Sequence, residues 1–388
     1  MEKKEIRTIA EKNRCVKNII DETARLNSFL LVGHQNPDTD CIASLAAFSL
    51  LLRKQEKDVS IFLPMPVMEQ FNYLLAICKY NGIDILYDPN SIPKDIAALV
   101  ILDTPKPEMI SSNAVIDQLL SDPGIRKIEI DHHLGADASY AGDPGYCLVS
   151  EASSACELIG YLCFKFSRQK DRFPGVDFFS RNIALAVLTG IVGDSHMGKY
   201  LKSAKERWYY SILSQAFDKL LVEKTRKNSN NLASMEAIFD TIQLFSVREK
   251  LCFDRILKQK LRSEYIFYAA LGKEESAELF SRYGNELLVN VSKAAANTLA
   301  EDAGKLGLVA YYDDPSLSSF VQFRLRRSAK FTVLDLRTVL KTLGISNGGG
   351  HPGAIGFRVL KDEVPDIHAF TAEIACRIDG MIKDINAG

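Results

Sequence analysis

The chain has 388 residues, 47% of them apolar and 25% charged, with a formal net charge of −1. The composition is that of a soluble globular protein, and the length exceeds one typical domain, so two domains are expected. The near-neutral charge excludes a global pull toward nucleic acid or membrane and leaves any basic surface local.

The first half alternates strand and helix. After a charged N-terminal helix ending near Leu26, Ser28–Gly33 (SFLLVG) reads as a strand and Ile42–Leu52 as a helix. Val59–Leu63 is a second strand, and Val67–Tyr80 is an amphipathic helix closed by Asn81-Gly82. Ala98–Leu102 (ALVIL) is a third strand running straight into Asp103. Ser111–Leu120 follows as a helix, and Lys127–Ile130 is a strand that feeds Asp131. Continuous apolar strands separated by helices predict a parallel sheet with helices on both faces.

Helical text then runs over Ser153–Phe166 and Phe179–Val192. The longest apolar run, Ile183–Val192, falls short of the roughly 20 residues that a membrane span needs. Lys199 to Arg262 is long, helical and rich in Lys and Arg, and is expected as a connector. A smaller α/β region begins at Glu264. Its expected strands are Tyr265–Leu271, Leu287–Val291, Leu308–Tyr312 and Phe320–Leu325, and its expected helices Ala294–Leu306 and Val333–Leu343. Eight cysteines lie scattered without a C-x-x-C pair, and no signal peptide is read at the start. Both features predict reduced thiols in a cytoplasm. Cys41 is expected as a buried small hydrophobe.

Five of the six histidines sit beside aspartates or glycines. His34 opens HQNPDTD, where Asp38 and Asp40 can point to two different places. Asp103 ends a buried strand, where a carboxylate is costly unless something compensates it. Asp131-His132-His133 ends another strand, and Asp194 follows the apolar helix IALAVLTGIV. Imidazole and carboxylate together are a divalent-metal ligand set, and strand ends are where open α/β sheets place their sites. Taken alone, each piece reads as a turn, a helix cap or a chance word. Their recurrence in order at strand ends points to a dinuclear centre. Near the C-terminus, Gly348-Gly349-Gly350-His351 lets backbone N–H groups approach an anion, and Arg327 stands near the end of a strand.

The words GHQNPDTD, ILDT, DHH, GDS and SNGGGHPGAIGF resemble those of the DHH phosphoesterase family. The resemblance is to members with a DHH-associated C-terminal domain, of the RecJ-like and oligoribonuclease-like type. It implies a DHH catalytic domain over 1–198, a helical connector over 199–262 and a substrate-binding domain over 263–388, with the active-site cleft between the two domains. It implies two ions: His34 and Asp38 hold the first, Asp40, His132 and Asp194 the second, and Asp103 bridges both. Asp131 orients a histidine, and His133 faces the scissile phosphate as electrostatic stabiliser or proton donor. The mixed donor set favours Mn2+ over Mg2+. Arg327, Gly348, Gly349, Gly350 and His351 grip substrate.

The expected activity is hydrolysis of phosphoester bonds in very short oligonucleotides, in 3′-phosphoadenosine 5′-phosphate, or in both. No membrane partner is expected, and similar proteins are often homodimers. Alternatives are a cyclic dinucleotide such as cyclic di-AMP or its linear product, and pyrophosphate or polyphosphate. The NPDTD wording is that of the family's pyrophosphatases, which carry a different C-terminal domain without GGGH. A nucleotide-sensing protein without catalysis is the non-enzyme alternative.

Overall fold

The four apolar strand runs of the first half, with the short strands Asp84–Leu86 and Cys147–Val149 at the edges, form a six-stranded sheet. The computed structural model describes residues 2–387 apart from 7, 111, 112, 202, 228, 230, 244 and 315–317. The chain divides into two compact units, residues 1–244 and 245–388.

In the first unit the strand order is Asp84–Leu86, Asp58–Phe62, Ser28–Val32, Ala98–Leu102, Arg126–Asp131 and Cys147–Val149, and every neighbouring pair is parallel. The chain builds outward from Ser28–Val32 in one direction, then returns and builds outward in the other. The order therefore reverses between Ser28–Val32 and Ala98–Leu102, which makes their carboxyl ends a topological switch point. Ala98–Leu102 is buried on both faces, as its unbroken apolar text requires. Leu31, Val100 and Ile128 face a large core against helices Ile9–Arg25, Thr39–Arg53, Ala155–Ser167 and Arg181–Ser195. Leu30, Leu99 and Ile101 face the other side, covered by Ile116 of helix Ala114–Ser121 with Ile92, Ile96 and Ile110. Helices thus lie on both faces of a parallel sheet, as expected. A two-residue strand, Glu2–Lys3, pairs antiparallel with Gly135–Ser139, and this pair has no counterpart in the sequence reading.

The second unit holds a mixed six-stranded sheet with its own cores on both faces. Leu287–Val291, expected as a strand, is instead part of helix Asn285–Ala303. Leu288, Val291, Ala295 and Leu299 are fully buried at helical spacing, and a short apolar run alone does not distinguish the two states. Lys260–Arg262, inside text expected as helical, is an edge strand.

The stretch 199–262 is shared between the units. Leu213, Phe217 and Leu221 of helix Ala204–Lys224 and Ile238 of helix Met235–Ile242 join the first core. Cys252, Phe253 and Ile256 of helix Val247–Leu257 join a core of the second. The charged faces of these helices mask how much apolar surface each one buries. All eight cysteines are free. Among the described residues no helix is long and apolar enough to cross a membrane.

Candidate metal centre

The switch point gathers the strand-end residues. Asp38 caps helix Thr39–Arg53, accepting the Cys41 N–H at 3.1 Å, so its helix-cap role is real and leaves its second oxygen free. Two residues on, Asp40 points into the protein. Its carboxylate accepts the N–H groups of Ala155 at 2.5 Å and Cys156 at 3.1 Å, at the N-terminus of helix Ala155–Ser167. Asp103 follows its strand in a left-handed backbone conformation, φ +48, and donates its N–H to the Ile130 carbonyl. This strained turn aims the side chain along the sheet edge.

The distances define two groups that share Asp103. His34 Nε2 lies 3.8 Å from Asp38 and 4.0 Å from Asp103. His132 Nε2 lies 3.4 Å from Asp103, 3.6 Å from Asp194 and 3.9 Å from Asp40. The Nδ1 of His132 meets the Ala152 carbonyl at 3.2 Å, and since a carbonyl only accepts, this nitrogen donates. The Nε2 lone pair is thereby turned toward the carboxylates, the arrangement of a metal-binding imidazole. His133 lies beside them, its Nδ1 2.8 Å from Asp131 and 3.6 Å from Asp103.

So many acids in a buried place repel one another. Burial, then the charge of Asp103, pushes the Asp40 carboxyl well above its usual range. Burial likewise raises Asp194 to about 6. Burial disfavours charge on His132, yet the negative charges of Asp103, Asp40 and Asp194 outweigh it and hold the ring well above its usual range. Asp103 Oδ1 is buried without a hydrogen-bond partner. A divalent cation would offset the same carboxylates and would take the place of a proton on His132 Nε2, so the donor set fits one. Cys41 Sγ also comes within reach of His34 and Asp103. Burial and then Asp103 push its thiol well up, so it stays protonated and packs against Gly33, as expected of a small hydrophobe.

The remaining expected residues fall elsewhere. Asp131 is fully buried below His133. Burial opposes its ionisation, but the hydrogen bond from His133 and the charge of Lys3 hold its carboxyl below the usual range. Ser195 donates to the Ile191 carbonyl, and His196 packs on Tyr200 and Phe239, so neither is held toward the acids. In the second unit, Gly348–His351 is an edge strand paired with Ala354–Leu360. A Cβ on Gly348 would stand 2.6 Å from that of Phe357, and one on Gly350 2.2 Å from the Ala354 carbonyl oxygen, so hairpin packing itself demands two of the three glycines. Only Gly349 faces open space. The His351 side chain lies outside the described part of the structure. Arg327 spends one amino group on the Thr332 and Leu334 carbonyls, at 3.0 and 2.8 Å. Sequence reasoning missed Lys3, Glu129 and the helix N-terminus under Asp40. Only the last had a local signal, Ser154 with Glu157 three residues on.

Residues 28–191 match the DHH family, N-terminal domain. A probable manganese-dependent inorganic pyrophosphatase of Streptococcus equi subsp. zooepidemicus is 30% identical over 175 residues, 44% of this chain and 49% of that protein. A protein of the same description from Streptococcus equi subsp. equi matches to the same extent. The chain thus spans about half the length of the curated relatives it matches. Among solved structures, an exopolyphosphatase-related protein from Bacteroides fragilis aligns over 98% of this chain and 100% of that one, at 18% identity and a TM-score of 0.61, a likeness of fold. The strand ends that converge on the centre lie within residues 28–191, the stretch that matches the DHH family, N-terminal domain.

Proposed function

We propose that the chain is a manganese-dependent phosphoester hydrolase acting on very short oligonucleotides or 3′-phosphoadenosine 5′-phosphate. One observation carries the reading: Asp103 stands between two histidine–carboxylate groups, with His34 and Asp38 on one side and Asp40, His132 and Asp194 on the other. His34 and Asp38 would hold one ion, Asp40, His132 and Asp194 a second, and Asp103 both. When bound, such a pair supplies a water of lowered pKa and offsets charge on a phosphate. The protein's own part is positional. The Ala155 and Cys156 N–H groups fix Asp40, the Ala152 carbonyl fixes the His132 ring, and Asp131 fixes His133. With Nδ1 held by Asp131, the other ring nitrogen of His133 is left for a phosphate oxygen. In the second unit, the open Gly349 backbone, His351 and Arg327 would bind a nucleotide phosphate.

Pyrophosphate or polyphosphate is the second reading. The NPDTD motif and the identity with proteins described as pyrophosphatases favour it. A Mn2+ assay on di- to pentaribonucleotides, the adenosine bisphosphate, cyclic di-AMP and pyrophosphate separates the two. Nucleotide or phosphate release from the first two is expected to exceed release from pyrophosphate. Faster phosphate release from pyrophosphate would install the second reading, and hydrolysis of none of them would sink both.

A further inference from the structure

Lys3 lies ahead of the residues that match the family domain, yet its side chain is fully buried. Its Nζ donates to the Asp131 carboxylate at 2.5 Å and to the Thr104 carbonyl at 2.5 Å, and it pairs with Glu129 Oε1 at 2.6 Å. Thr104 directly follows Asp103 in its left-handed turn. Asp131 Oδ2 meets Lys3, while Oδ1 accepts His133 Nδ1 at 2.8 Å and the His132 N–H at 2.9 Å. The other oxygen of Glu129 accepts the Ala141 and Gly142 N–H groups. One amino group therefore ties together two of the strand ends that build the centre. It arrives on strand Glu2–Lys3, which pairs with the segment just after His133.

We propose that Lys3 is a positioning residue: it locks Asp131, and through it the ring of His133. The proposal rests on the reading of His133 as the group that meets substrate. A plain structural role is the competing account, because two carboxylates buried without their cation would destabilise any fold. The two accounts predict different kinetics. A positioning role lowers turnover while substrate binding holds, since the lost alignment matters in the transition state.

The test compares Lys3→Ala, Lys3→Met and Lys3→Met/Glu129→Gln, the last removing one orphaned charge so that the fold is kept. For folded variants kcat is expected to fall about 10- to 100-fold, the usual loss when a partner behind an active group is removed, with KM and calorimetric Mn2+ affinity within about threefold. Propylammonium, which carries the missing amine, is expected to restore part of kcat to Lys3→Ala, and tetramethylammonium is not. Crystal structures should show the Asp131 carboxylate turned and His133 off its 2.8 Å contact. Unchanged kcat in a folded variant would overturn the proposal. So would losses of kcat and Mn2+ binding that merely track the folded fraction without amine rescue. Should the wild-type protein hydrolyse no phosphoester, the functional reading fails by itself. The crystal structures then decide Lys3: a displaced His133 ring sustains the lock, and an unmoved one refutes it.

Discussion

Asp103 carries two penalties at one position, a left-handed backbone and a buried carboxylate oxygen without a hydrogen bond. Each destabilises a protein unless something over-determines it. Substitution should therefore act in opposite directions on stability and on activity. Asp103→Asn removes a charge from beside Asp40 and Asp194 and keeps a residue that tolerates the left-handed region. In chelator it is expected to unfold about 2–4 °C above wild type, corresponding to roughly 1 kcal/mol of relieved repulsion. Asp103→Ala should be less stable than Asp103→Asn by about 1 kcal/mol, because Cβ crowds the carbonyl at positive φ without a compensating polar group. Both should lower phosphoester turnover about 10³-fold, from the several kcal/mol that metal charge contributes. Thermal melts in chelator and Mn2+ assays check the two halves, and an Asp103→Asn variant less stable than wild type in chelator would contradict the repulsion argument. The sequence marks Asp103 because an unbroken apolar strand runs straight into it. Nothing local marks Lys3, whose partners stand 101 and 128 residues away and whose surrounding text is that of a solvated end.

At the level of elements, the helix pair Thr39–Arg53 and Arg181–Ser195 brings Asp40 and Asp194 together, and two glycines set its spacing. A Cβ on Gly190 would stand 2.4 Å from Asp40 Oδ1 and 2.3 Å from Cys156 Sγ, and one on Gly193 would stand 2.3 Å from Thr39 Cγ2. Gly190→Ala is thus an overpacking change at a metal-facing carboxylate, expected to destabilise by about 1–3 kcal/mol. It should also weaken Mn2+ binding by pushing Asp40 off the helix N-terminus. Gly380→Ala supplies the contrast: helix Ile367–Ala387 leaves open space there, so the same substitution should stabilise by about 0.5–1 kcal/mol. Urea midpoints of the two variants should move in opposite directions. The elements themselves were legible where apolar runs were long or ended in turn chemistry, as at Ala98–Leu102 and Arg181–Ser195. They were not where a short run left the period ambiguous, as at Leu287–Val291. The glycines at 190 and 193 announce a close approach, but the partner, residues 39 and 40, is set by topology alone.

The whole molecule joins two compact units on one chain, and the boundary eluded the sequence because helices with charged outer faces read as a connector. The apolar stripes of Ala204–Lys224 and Val247–Leu257 belong instead to different cores. This division makes a claim about energetics. Every residue of the candidate metal centre lies in residues 1–244. Ligand binding stabilises only what must be folded to bind, by about 2.7 kcal/mol at a hundredfold excess over Kd. Calorimetry of the full chain should therefore show two transitions, and Mn2+ should raise one of them. Residues 245–388 bury an apolar core on each face of their sheet, which is enough for a domain of that length to unfold cooperatively by itself. Its separate melting curve identifies the second transition, which chelator and Mn2+ should leave in place. Movement of both transitions by equal amounts would mean that the units unfold as one, and that metal bound in the first is felt throughout the second.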